Sequence, residues 1–196
     1  MTLKTNVIII HGCPSFNEKN IERSKDSKRR TYDKHWMPWI THQLQQRKIE
    51  VKTPLMPNPW LPSYAAFKKE FEKIQITSES ILIGHSCGAS FIVRWLGESK
   101  YKAKKLILVA PWKIPDEDDE YRKEFYSYHI DKTIPEHVKE IIIFTSNDEE
   151  EDGKKSASIF QKALRCKVIE LKDHGHYTLG DMGTEEFPEL LREILI

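Results

Sequence analysis

A serine hydroxyl becomes a useful nucleophile when an imidazole can take its proton and an acid can orient that imidazole. The chain carries such a set in the order Ser86, Asp148, His176. Ser86 is the centre of Gly84-His85-Ser86-Cys87-Gly88, directly after the apolar run Ile81-Leu82-Ile83 and just before Phe91-Ile92-Val93-Arg94-Trp95-Leu96. Strand, Gly-x-Ser-x-Gly, helix is the layout of a nucleophile elbow. The serine backbone is strained, its hydroxyl stands above the sheet edge, and the next amide lies at a helix N-terminus, where negative charge is favoured. Gly84 and Gly88 are small so that helix and strand can pass close to the turn.

His176 follows Gly175, which lets its loop swing the imidazole towards Ser86. His174 is the competitor, but in an extended loop the two rings point opposite ways. Asp148 is expected as the acid, at the tip of Thr145-Ser146-Asn147-Asp148; Glu149 replaces it if the loop sits one residue out of register. Glu150, Glu151 and Asp152 read as a solvated run. A tetrahedral intermediate needs two donors. They are expected from the Cys87 amide and, in His11-Gly12-Cys13, from the Cys13 amide. The thiols of Cys13 and Cys87 would then lie near each other, and a bulky thiol reagent or oxidation there is expected to block turnover. Trp36, Trp60 and Trp112 are candidates to line an apolar acyl pocket, with core packing the equal alternative for Trp36.

The elements that must position these residues alternate. The apolar run at residues 7–10 reads as a strand buried on both faces and 106–110 as another buried strand, while 49–53, 81–83, 141–144 and 168–171 also read as strands. Helices are expected from Asp33 through Leu44, with Pro38 demanding a start near Met37, and from a Ser63 cap through Ala66, Phe67, Phe71 and Ile74. Others follow the elbow to Gly97 and span residues 156–164 and 187–194. This is an α/β chain: one domain over residues 1–196, about six mostly parallel strands and helices on both faces. Residues 113–137, acidic then tyrosine-rich, are too long for a tight connection and are expected as a lid or an exposed insertion. Working groups gather at the carboxyl ends of such strands. His11-Gly12-Cys13, Ser86, Pro111-Trp112, Asp148 and His174-Gly175-His176 all follow strands, so they share one rim.

Composition narrows the partners. A net charge of +1 over 196 residues offers no field for nucleic acid or a membrane surface. The basic cluster Arg23, Lys25, Lys28, Arg29 and Arg30 reads as a solvated loop. No apolar run approaches the ~20 residues of a membrane span, and the first residues lead straight into a strand, so no signal peptide is expected. Three cysteines, Cys13, Cys87 and Cys166, are odd in number and lack metal-type spacing. A disulfide framework is therefore not expected, and a cytoplasmic location is. His174-x-His176 with His11 and Asp148 is the runner-up set, for a metal. No cysteine pair supports it, and no phosphate-binding glycine motif is present. No metal and no cofactor are expected; the partner is a small acyl substrate.

Five stretches together resemble the small serine hydrolases of the YdeN / retinoblastoma-binding serine hydrolase group. They are Ile8-Ile9-Ile10-His11-Gly12, His35-Trp36-x-x-Trp39, Met56-Pro57-Asn58-Pro59, Gly84-His85-Ser86-Cys87-Gly88-Ala89 and Gly175-His176-Tyr177. The resemblance implies a compact α/β-hydrolase fold, a Ser86–His176–Asp148 triad, and hydrolysis of small ester or peptide-like bonds. The expected function is a serine hydrolase acting through an acyl-enzyme on Ser86. The competing class is a hydrolase-fold interaction module with residues 113–137 as its contact surface.

Overall fold

The computed structural model describes residues 5–14, 30–115 and 120–196. Arg23, Lys25, Lys28 and Arg29 of the basic cluster, and Asp116 to Asp119 of the acidic run, lie outside the described residues.

Among the described residues six strands form one sheet: β1 (Asn6–Ile10), β2 (Glu50–Lys52), β3 (Ile81–His85), β4 (Ala103–Val109), β5 (Val138–Ser146) and β6 (Lys167–Leu171). Their order is β2-β1-β3-β4-β5-β6, with every neighbouring pair parallel. The runs of Ile, Leu and Val are explained by burial on both faces. Ile8, Ile10, Leu82, Leu106, Leu108, Ile141 and Ile143 point to one side, and Val7, Ile9, Ile81, Ile83, Ile107, Val109 and Ile142 to the other.

The first side is covered by α2 (Tyr64–Phe71), α3 (Cys87–Ser99), α4 (Glu120–Tyr126) and α5 (Glu151–Leu164). The second is covered by α1 (Met37–Gln46) and α7 (Pro188–Leu195). Helix starts follow local chemistry. The Ser63 hydroxyl accepts the Ala66 amide to begin α2, and α1 starts at Met37 because Pro38 fits only its first turn. Helix α5 begins earlier than expected: Glu151 and Asp152 form its first turn, where carboxylates oppose the helix dipole. A short helix, α6 (Leu179–Met182), was not foreseen. Its signal was present as a capping box, Thr178 and Asp181 bonding reciprocally.

Phe125, Tyr126, Ile130 and Ile134 are buried in the larger core cluster. Among the described residues no helix is long and apolar enough to cross a membrane.

Candidate active site

Ser86 lies between β3 and α3 with φ 53° and ψ −119°, a backbone conformation that an L-residue adopts only under constraint. The constraint is visible. A Cβ on Gly84 would sit 2.5 Å from Ala89 Cα, and one on Gly88 would sit 2.5 Å from the Ile10 carbonyl oxygen. The Ser86 amide donates to the Val109 carbonyl at 3.0 Å and the Trp112 amide donates to the Ser86 carbonyl at 3.3 Å, so β4 holds the turn from its other side. The strand order reverses between β1 and β3, and Ser86 sits at that switch point, where parallel sheets open a crevice.

A continuous chain of bonds runs from the hydroxyl. His176 Nε2 lies 2.9 Å from Ser86 Oγ, and His176 Nδ1 lies 3.1 Å from each carboxylate oxygen of Glu149. A carboxylate facing Nδ1 keeps the proton on that nitrogen and leaves Nε2 bare to accept from the serine. The acid meeting His176 is therefore Glu149, not Asp148. Asp148 bonds elsewhere: its oxygen accepts the Ser146 hydroxyl and, at 2.9 Å, the Gly175 amide. These bonds, Ser146 foremost, hold its carboxyl below the usual range.

Register and reach explain the exchange. Asp148 sits at the turn beside the His176 loop and bonds its backbone, while Glu149, buried to 4% exposure, goes under the start of α5. There it accepts the Glu150 amide at 3.0 Å. Gly153 makes the space, since a Cβ there would lie 2.7 Å from Glu149 Cδ.

The loop carrying His176 is tightly held. Its amide donates to Asp181 at 3.1 Å and its carbonyl accepts Nε2–H of His85 at 2.9 Å. His85 is buried and its Nδ1 has no hydrogen-bond partner among the described residues; burial, then the neighbouring His176 and His35, hold it neutral with a strongly lowered pKa. His11 is also buried. Its Nδ1–H donates to the Gly12 carbonyl at 2.7 Å and its Nε2 accepts the Met56 amide at 2.9 Å, and burial lowers its pKa to about 4. His174 turns away, bonding the Lys172 carbonyl and packing against Tyr177. Neither His85 nor His11 was singled out as a positioning group from sequence, because a histidine beside a motif gives no signal of what it bonds.

A family model described as "Serine hydrolase" matches residues 28–194. The chain belongs to the serine hydrolase family. None of the curated protein sequences matches it. Among solved structures, the hydrolase is similar to the ydeN gene product from B. subtilis, at 20% identity over 98% of this chain and 97% of that one, with a TM-score of 0.81. It is also similar to Est1E from Butyrivibrio proteoclasticus bound to ferulic acid, at 12% identity over 99% and 88% of the two chains, TM-score 0.60. Carboxylesterase CesB from Bacillus subtilis is similar at 12% identity over 98% and 82%, TM-score 0.54. These likenesses show a shared α/β-hydrolase fold.

Two clefts of the hydrolase meet at Ser86. One, about 820 Å³, is walled by Gly12, Tyr32, Lys34, His35 and Leu179; the other, about 650 Å³, by Trp112, Arg122, Tyr126, Asp148 and Asp181. Cys13, Ser86, His176 and Thr178 border both. Of the three tryptophans expected in a pocket, Trp112 lines the second cleft and stands edge-on to His176, ring centroids 5.3 Å apart. Trp36 is wholly buried in the core against Phe187, and Trp60 is buried and borders neither cleft. A tryptophan reads as apolar in sequence whichever side of a sheet receives it.

The cysteines also depart from expectation. Cys13 and Cys87 are not free thiols: they are joined in a disulfide, with Cα atoms 5.7 Å apart although the residues are 74 positions apart in sequence. The sheet explains the pairing. Ile10 of β1 is the partner of Gly84 of β3, and each cysteine stands three positions further on. Cys166 is free.

Proposed function

We propose that this serine hydrolase cleaves small carboxylic esters through an acyl-enzyme on Ser86. The observation that carries this reading is the position of His176, one ring nitrogen on Ser86 Oγ and the other on the Glu149 carboxylate. Oγ attacks the ester carbonyl while Nε2 takes its proton, and Glu149 stabilises the imidazolium that forms. Negative charge on the former carbonyl oxygen falls to the amides of Cys87, first in α3, and Cys13. The tetrahedral species collapses, the C–O bond to the alcohol breaks, and Nε2–H protonates the departing alkoxide. Water then attacks the acyl-enzyme with the same base, releasing the acid and restoring the Ser86 hydroxyl. A neutral His85 beside His176 adds no charge to oppose the imidazolium. Two modest clefts meeting at Ser86 suit a substrate with one group on each side of its ester bond. A carboxylesterase among the proteins of similar fold agrees with that class.

The test is a fluorophosphonate probe with a short-chain p-nitrophenyl ester. Labelling at Ser86, and loss of labelling and of roughly 10⁴-fold or more in turnover in Ser86→Ala, are expected. No labelling at neutral pH, or turnover persisting in the variant, overturns the reading.

A further inference from the structure

The two residues assigned as oxyanion donors are the two ends of one disulfide. Cys87 is fixed independently: it is fully buried, and α3 begins with it. Cys13 is not. It follows β1, is only partly buried, borders both clefts, and no backbone hydrogen bond to it is present among the described residues. Its neighbours are better held: His11 bonds the Met56 amide at 2.9 Å, and the Pro14 carbonyl accepts from Arg122 at 2.5 Å. Between these anchors Gly12 packs against His85 and Ser86, and the sulfur–sulfur bond ties Cys13 itself to the elbow.

We propose that the Cys13–Cys87 disulfide is a positioning element that holds the second oxyanion donor over Ser86, so that the hydrolase turns over efficiently only when oxidised. This rests on the esterase reading above. Reduction is a thiol–disulfide exchange. A thiolate of a dithiol reductant attacks Sγ of Cys13 from the cleft and breaks the Cys13–Cys87 bond, giving a mixed disulfide. The reductant's second thiolate closes its own ring. Two electrons pass to the protein, and both cysteines end as thiols carrying the protons the dithiol gave up. The Cys13 amide is then free to leave its place, while Ser86, His176 and Glu149 stay bonded to one another. A donor that strengthens its bond only as charge develops affects kcat far more than KM. Complete loss of one such donor costs about 10²–10³-fold in kcat.

The experiment compares oxidised protein with protein reduced by dithiothreitol, and with Cys13→Ala, at a temperature where thermal melts show all three folded. Intact mass and thiol titration in denaturant establish the redox state. Alkylation of the folded protein at neutral pH identifies the released Cys13 thiol, which borders the clefts, because burial raises the pKa of Cys166 to about 11 and keeps it a poor nucleophile. In reduced protein and in the variant, kcat is expected to fall about 100-fold. KM should hold within about threefold, and affinity for a trifluoromethyl ketone analogue should fall in step with kcat/KM. Reoxidation should restore the wild type but not Cys13→Ala. A merely structural bond would lower the melting temperature without moving analogue affinity of folded protein. Unchanged kcat and analogue affinity after verified reduction would overturn the proposal, as would three free thiols in the protein purified without reductant and then exposed to air. Should Cys13→Ala fail to fold, the reduced wild type decides alone. Fluorophosphonate labelling separates the two readings: labelling at equal rates in both redox states removes the clamp and leaves the hydrolase. No labelling in either state removes both.

Discussion

Replacing Glu149 by Gln asks most directly which acid serves His176. The side chain keeps its shape and its place beneath α5, and one carboxylate oxygen becomes an NH₂ group. Both oxygens lie 3.1 Å from Nδ1, so the change falls on the contact itself. A full charge at that distance from an imidazolium interacts by about 5 kcal/mol at an effective dielectric near 20. At 1.36 kcal/mol per tenfold, that corresponds to about 10⁴ in rate, close to the ~10⁴ lost on carboxylate-to-amide exchange in serine proteases. A hydrogen bond still donated by Nδ1–H to the amide oxygen trims this, so a fall of about 10³–10⁴ in kcat is expected.

Asp148→Asn is the matched control. Its side-chain oxygen can still accept the Gly175 amide, and among the described residues it makes no hydrogen bond to His176. Turnover of p-nitrophenyl acetate should stay within about tenfold of wild type. Steady-state kinetics on the two variants, with thermal melts to confirm folding, settle the order. If Asp148→Asn is the crippled enzyme and Glu149→Gln keeps more than a tenth of the activity, the assignment of Glu149 is wrong.

Other perturbations follow from the same contacts. Gly153→Ala would place a Cβ 2.7 Å from Glu149 Cδ, and the movable side chain must give way; kcat should drop about tenfold or more while the melting temperature changes little. In Gly88→Ala the obstacle is backbone, the Ile10 and His11 carbonyl oxygens at 2.5 and 2.6 Å. That change should cost about 3 kcal/mol, seen as roughly 10 °C in the melting temperature. His85→Leu leaves the His176 carbonyl without its donor and should lower kcat about tenfold, with His85→Gln recovering part of it by offering an N–H. Stability should also follow the proton uptake of His11, whose folded pKa is about 4 against 6.5 in the unfolded chain. The unfolded state binds the proton first, so this contribution is intact above pH 6.5, falls as pH drops below it, and is gone below about pH 4, a loss of about 3 kcal/mol. Urea midpoints measured from pH 7 to 4 should decline through that window, and a flat profile would show His11 to be solvated. Asp131, held to about 2 chiefly by Lys100, adds its own loss only at lower pH.

Much of the fold was legible because both-face burial leaves a plain trace. The four inner strands, β1, β3, β4 and β5, each carry a run of isoleucine, valine or leucine with a helical pattern between, and that admits few arrangements other than a parallel α/β sheet. The elbow was legible for a related reason: its glycines answer to backbone atoms only 2.5 Å away, a demand fixed by the turn itself. What distant elements impose was not legible. Trp36 and Trp112 look alike in the chain, yet α1 carries one into the core while the loop after β4 turns the other onto His176.

The acid and the disulfide share a cause. Strand register brings residue 10 beside residue 84, and only that pairing carries Cys13 to Cys87 across 74 positions. Counting cysteines cannot see it, since an odd total says nothing about which two are neighbours in space. Likewise Asp148 and Glu149 differ by one position and one methylene. A shorter carboxylate at the turn serves the backbone of the His176 loop, while the longer one reaches the ring from beneath α5 through the gap that Gly153 leaves. Which of two adjacent acids meets the imidazole is therefore decided four residues further along, by a glycine whose smallness has a purpose only once the helix has formed.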